Sequence, residues 1–259
     1  MQLKDKYVIV YGAAGAVGSA VARAFSRAGA TVFLTGRNFA GVQAVATGIG
    51  GKAEAAEVDA LDEQSIEAHL KSVIDKVGRV DVSFNAVGIR NTTLQGVALG
   101  NLDIEQFSLP IATYTRSYFL TSRVAARQMI QQKSGVIMTV TSTPSRIGIP
   151  LMGGVGPAMS AVESLTRGLS AELAPHGIRV IGIRPHGMPE SDTIKEVFGL
   201  HANAWGISRE QFEGLIAGRT HTRRLSSLTE MADMAVFAAS DQASGLTGTI
   251  LNLSLGSLD

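Results

Sequence analysis

A short strand that runs straight into a glycine turn and then into a helix constrains this chain more than any other feature. Tyr7 to Tyr11 is an apolar, β-branched run, and Gly12-Ala13-Ala14-Gly15-Ala16-Val17-Gly18 follows at once. From Ala16 to Ala28, the residues Val17, Val21, Ala24, Phe25 and Ala28 form one apolar stripe at helical spacing, and Gly29 supplies the stop. Glycines at such a junction permit a tight turn, let the backbone approach a pyrophosphate and let the helix pack on the strand. The helix N-terminus then offers free N–H groups and a partial positive charge to phosphates. The plainer alternative is a tight turn with no ligand.

The same alternation continues along the chain. Further strands are expected at Thr31–Thr35, Ala53–Val58, Val80–Asn85, Val136–Thr141, Ile178–Ile183 and Thr249–Leu253. Most are continuous apolar runs, as a strand covered by helices on both faces requires. Helices are expected near 62–77, 103–132, 155–174 and 228–240. This order predicts an α/β chain: a single-domain, doubly wound Rossmann fold over 1–259, with a parallel sheet of about seven strands and helices on both faces. The segment from about Met188 to Arg224 breaks the alternation and is expected to be a substrate lid or an extra helical pair.

Composition narrows the function classes. At 259 residues the chain can bury roughly three quarters of its unfolded surface without a metal or disulfide staple. Net charge is +1 and there is no run of Lys and Arg, so no nucleic-acid partner is expected. Cysteine is absent, which removes disulfides, thiolate catalysis and Cys-ligated metals. No cluster has metal-ligand spacing. The first apolar run is too short for a signal peptide and nothing approaches a membrane span, so a cytoplasmic protein is expected.

Polar residues gather where strands end. Arg37 follows the second strand, 19 residues after Gly18. An acidic residue there would bind a ribose 2′-hydroxyl, whereas an arginine suits a 2′-phosphate, so NADP is expected over NAD. A solvated surface arginine is the alternative. Asp59 follows the third strand, and Asn85 and Gly88 the fourth, at the carboxyl ends where open α/β sheets bind ligands. Each could equally serve only its turn.

These features resemble the short-chain dehydrogenase/reductase family over nearly the whole chain. Gly12, Gly15 and Gly18 lie on that family's T-G-x-x-x-G-x-G turn, with Tyr11 and Ala16 replacing the threonine and the middle glycine. Asn85-Ala86-Val87-Gly88 is similar to the family's N-N-A-G, and Asp59 to its adenine-contacting aspartate. Ala161-Val162-Glu163-Ser164-Leu165-Thr166-Arg167, continuing to Gly177-Ile178-Arg179-Val180, resembles the family's long helix and next strand without a gap. That block sets the register. The family's Y-x-x-x-K then falls on Val155-Gly156-Pro157-Ala158-Met159, its catalytic serine on Ser142, and its asparagine on Tyr114.

The resemblance implies a tyrosine that moves a proton while hydride passes to or from nicotinamide, and a lysine one turn on that binds ribose and lowers the tyrosine pKa. Valine carries no polar group and methionine only a weak acceptor. Three readings stay open. One is a reductase with a relocated proton donor, for which Tyr114, Tyr118 and His186 are candidates. Another is an inactive cofactor binder acting as sensor or scaffold. The last is a different reaction in the same cleft. A packed helix tyrosine and a plain loop histidine are the alternatives for Tyr114 and His186. The family also implies a homodimer or homotetramer. A pocket lined by Ser142, Ile147, Met152, Val155 and the segment after Met188 would be largely apolar, which suits a small hydrophobic carbonyl or alcohol.

Overall fold

A computed structural model of the protein describes residues 1–257; positions 258 and 259 of the expected domain lie outside the described residues. Among the described residues, seven strands form one parallel sheet: β1 (Tyr7–Tyr11), β2 (Thr31–Gly36), β3 (Ala53–Glu57), β4 (Val82–Asn85), β5 (Gly135–Val140), β6 (Ile178–Pro185) and β7 (Thr249–Leu253). Their order is β3-β2-β1-β4-β5-β6-β7, so the order reverses between β1 and β4. All six pairings are parallel, with Tyr11 level with Thr35 on one side and with Asn85 on the other.

Among the described residues, eight α-helices fill the gaps: α1 (Ala16–Arg27), α2 (Phe39–Ile49), α3 (Glu63–Val77), α4 (Ile104–Gln132), α5 (Val155–Leu173), α6 (Asp192–Trp205), α7 (Arg209–Gly218) and α8 (Leu228–Ala239). The continuous apolar runs have the expected cause. Val8 and Val10 of β1 face a core shared with Val21, Phe25, Val42, Met231 and Ala235 of α1, α2 and α8. Ile9 and Tyr11, their alternating neighbours, face a second core with Ile66, Leu70, Val124 and Met129 of α3 and α4. Burying a side chain of this size fully contributes about 1.5–3 kcal/mol, so both faces must be apolar.

β3 departs from the expectation. Its sequence AEAAE is half-exposed, as suits a strand at the sheet edge, where glutamates discourage further pairing. α2, which the sequence reading did not assign, is capped by the Asn38 side chain accepting from the Gly41 N–H at 3.2 Å. The segment after β6 resolves into the helical pair α6 and α7. It has its own apolar cluster, in which the Phe212 ring meets Phe198 at 5.3 Å and Trp205 at 5.4 Å.

His69 lies buried on α3 with its Nδ1 unpaired, and burial pushes its pKa down to about 4, partly offset by the nearby Glu54 charge. A base depressed in the folded state binds fewer protons than the unfolded chain does below pH 6.5. Its neutral burial therefore costs stability progressively as pH falls from about 6.5 to 4, and nothing above that window. In urea titrations across this range the His69→Gln variant should lose stability less steeply than the wild type. Parallel slopes would contradict the assignment.

Candidate active site

The glycine turn sits over the β1/β4 reversal. Gly12 adopts φ +72°, and a Cβ there would lie 2.6 Å from the Ala86 carbonyl oxygen in the neighbouring β4 loop. A Cβ at Gly18 would lie 2.3 Å from the Gly12 oxygen. Only glycine lets strand, turn and helix approach this closely. At Gly15 a Cβ would meet only the Gly12 oxygen, at 3.3 Å, and at Gly88 nothing within 4 Å, so both border open space. Gly15 is the N-cap of α1. No side chain caps this helix and its first turn holds no acidic residue, which leaves its leading N–H groups for an anion.

Arg37 is exposed just beyond β2, with no ion pair to any described residue. Asp59, half-buried after β3, accepts the Leu61 N–H on Oδ1 at 2.9 Å, an Asx turn that leaves Oδ2 available. Asn85 is spent within the protein. Its amide donates to Thr121 Oγ1 at 3.0 Å and its oxygen accepts from the Val87 N–H at 2.8 Å, shaping the loop that meets Gly12. Arg37, Asp59 Oδ2 and the uncapped α1 N-terminus are the polar groups left open to a ligand here.

The fold brings the remaining candidates together beyond β4 and β5. Gly154 packs so close to α4 that a Cβ would lie 1.9 Å from the Phe107 oxygen. That contact presses the start of α5 onto α4 and buries Val155 and Met159 with Ala158, Ile111, Tyr114 and Met152 in one apolar cluster. The Tyr114 ring stacks obliquely on Tyr118, centroids 6.4 Å apart. Desolvation pushes the Tyr114 phenol up, and the nearby Ile89 backbone only partly offsets this. Tyr118 is turned away: its hydroxyl donates to the Val140 oxygen at 2.8 Å and accepts the Val140 N–H at 3.3 Å, and burial holds it far above the normal phenol range.

Ser142 begins the loop after β5 in extended conformation, half-buried, with no side-chain hydrogen bond to the described residues. His186 follows β6, buried, with Nδ1 3.4 Å from Thr143 Oγ1. Both therefore stand at the carboxyl edge beside α5. Sequence reasoning missed the group that fixes this edge. The buried Glu163 carboxylate, two turns beyond Val155, accepts through Oε1 from Thr141 Oγ1 (3.2 Å), Ser145 Oγ (2.5 Å) and Arg184 Nη1 (3.1 Å). It thereby ties α5 and β6 to residues on both sides of Ser142. The signal was a glutamate at an i, i+4, i+8 position behind Val155 and Met159, where a core face should be apolar.

A family profile described as enoyl-(acyl carrier protein) reductase matches residues 12–257. The uncharacterized oxidoreductase YxbG of Bacillus subtilis is 30% identical over 95% of this chain and 89% of its own. The 3-oxoacyl-[acyl-carrier-protein] reductase FabG of Escherichia coli is 27% identical over 99% and 98%. The 7alpha-hydroxysteroid dehydrogenase of the same organism is 29% identical over 99% and 95%. Among solved structures, the NAD+-bound xylitol dehydrogenase superposes with a TM-score of 0.90 over 98% of this chain and 99% of its own, at 24% identity, a likeness of fold. The chain belongs to the short-chain dehydrogenase/reductase family, a family of oxidoreductases. No helix among the described residues is long and apolar enough to cross a membrane.

Glu163 is 3% exposed, so removing it leaves buried donors and a buried guanidinium without their shared carboxylate. Glu163→Ala should cost about 3–5 kcal/mol of stability, read as a lower urea midpoint. A cost under about 1 kcal/mol would mean that the network does not hold this edge.

Proposed function

We propose that this protein binds NADP(H) in the family's cofactor cleft and holds it without turning over carbonyl or alcohol substrates at the family's pace. One observation carries the reading. Val155 and Met159 stand where the resemblance puts the proton donor and the lysine, and both lie inside an apolar cluster. Losing a positioned general acid costs about 10² to 10⁴ in rate. The neighbouring phenols do not replace it, because Tyr118 is locked onto Val140 and Tyr114 is a half-buried phenol whose pKa desolvation raises.

Cofactor binding rests on the chain's own residues. The α1 N-terminus and Gly12, Gly15 and Gly18 take the diphosphate, Arg37 a 2′-phosphate and Asp59 the adenine, while Asn85 and Gly88 shape the far wall. When bound, the cofactor supplies a hydride donor or acceptor. Ser142 stands beside it as a polar group that can orient a carbonyl or hydroxyl, and His186 closes the same edge. Relatives named as a 3-oxoacyl reductase and a hydroxysteroid dehydrogenase support a carbonyl or alcohol as the nominal substrate class, and the apolar lining favours a small hydrophobic one. α6 and α7 form the lid over that pocket. A cytoplasmic homodimer or homotetramer completes the reading.

A second reading, a slow reductase using Tyr114 as donor, is favoured by that ring's contact with Val155 and Met159. Titration calorimetry with NADPH should show binding near the micromolar range. Arg37→Ala should weaken NADPH by about tenfold (about 1.4 kcal/mol) and leave NADH unchanged. No binding at millimolar NADPH would refute the proposal. With a carbonyl panel, Tyr114→Phe should leave any residual rate unchanged, and a large drop would transfer the case to the slow reductase.

A further inference from the structure

The retained and the replaced parts of the cleft lie on opposite sides of the strand reversal. A dinucleotide spans such a crevice with its pyrophosphate over the glycine turn, so one nucleoside lies over β2 and β3 and the other over β4 and β5. On the β2/β3 side the polar groups are available to a ligand. Arg37 has no ion pair to any described residue, and Asp59 uses only one carboxylate oxygen on the protein. The leading N–H groups of α1 have no capping side chain.

The β4/β5 side is the reverse. Asn85 spends both ends of its amide on Thr121 and Val87, and Tyr118 spends its hydroxyl on Val140. The Tyr114 ring lies half-buried against Val155, Ala158 and Met159. Val155 and Met159 present an apolar wall with Ile111 and Met152. The Ser142 hydroxyl has no hydrogen bond inside the described protein. A ribose brought against this wall gives up water at its hydroxyls and finds little to replace it, while the nicotinamide ring gains some apolar contact. The two effects offset each other.

We propose that nucleotide affinity resides almost wholly in the adenosine half of the ligand. The site takes 2′-phosphorylated adenosine diphosphate with or without a nicotinamide riboside attached. This rests on the cofactor reading above and gives it a ligand class: the protein reports the 2′-phospho-ADP moiety, not the dinucleotide as a whole. Hydride acceptors and donors then compete on equal terms with any nucleotide that carries the same half.

The test is titration calorimetry of the full chain with 2′-phospho-ADP, 2′-phospho-ADP-ribose, NADP and NADPH under one buffer. All four dissociation constants should agree within about fivefold (about 1 kcal/mol). NADPH or NADP binding more than about fivefold tighter than 2′-phospho-ADP would overturn the inference and leave the cofactor reading standing. No binding of any of the four at millimolar concentration would overturn both. Met159→Lys, which returns a cation to the β4/β5 side, should tighten NADPH and leave 2′-phospho-ADP unchanged. Equal tightening of both would also count against the inference, and the wild-type titration decides should this variant fold poorly.

Discussion

The close approach of Gly12 to the Ala86 carbonyl is the constraint on which the cleft depends. It brings the turn after β1 against the loop after β4, at the one place where the strand order reverses. The parallel sheet forces every strand to end on the same edge, and the crossovers place α1 and α2 on one face and α3, α4 and α5 on the other. The crevice at that edge follows from the topology. What it can hold follows from the side chains that reach it.

Those side chains divide into two chemistries. Toward β2 and β3 the cleft offers a cation, a carboxylate oxygen and bare N–H groups. Toward β5 and α5 it offers a packed apolar wall, pressed into place by the contact of Gly154 with Phe107. The edge is nevertheless built with care. Glu163, bonded to Thr141, Ser145 and Arg184, keeps the Ser142 loop anchored next to Val155. The Ser142 loop is thus held beside an α5 start whose side chains Val155 and Met159 are apolar.

Most of the fold was legible because burial on both faces writes itself into β1, β2, β5 and β6 as unbroken apolar runs. β3 was legible as a strand but not as an exposed edge, since AEAAE carries no mark of its place in the sheet. α2 escaped notice because its start is signalled only by the Asn38 cap. In the site, the glycine turn could be read from its place between strand and helix, and the Val155–Met159 replacement from the family resemblance that sets the register. The fates of Tyr118, Asn85 and Asp59 could not. Each depends on a backbone partner that the folded chain holds within about 3 Å, and the buried Glu163 depends on the side chains of Thr141, Ser145 and Arg184.

The proposed separation of cofactor binding from chemistry rests on two apolar side chains, Val155 and Met159. Its most direct test is the double variant Val155→Tyr with Met159→Lys, assayed for NADPH oxidation with a small hydrophobic carbonyl beside the wild type. The expected result is a gain of about 10² or more in kcat/KM, with little change in NADPH affinity beyond that due to the lysine. A wild type that already turns over briskly, with no gain in a stably folded double variant, would contradict it.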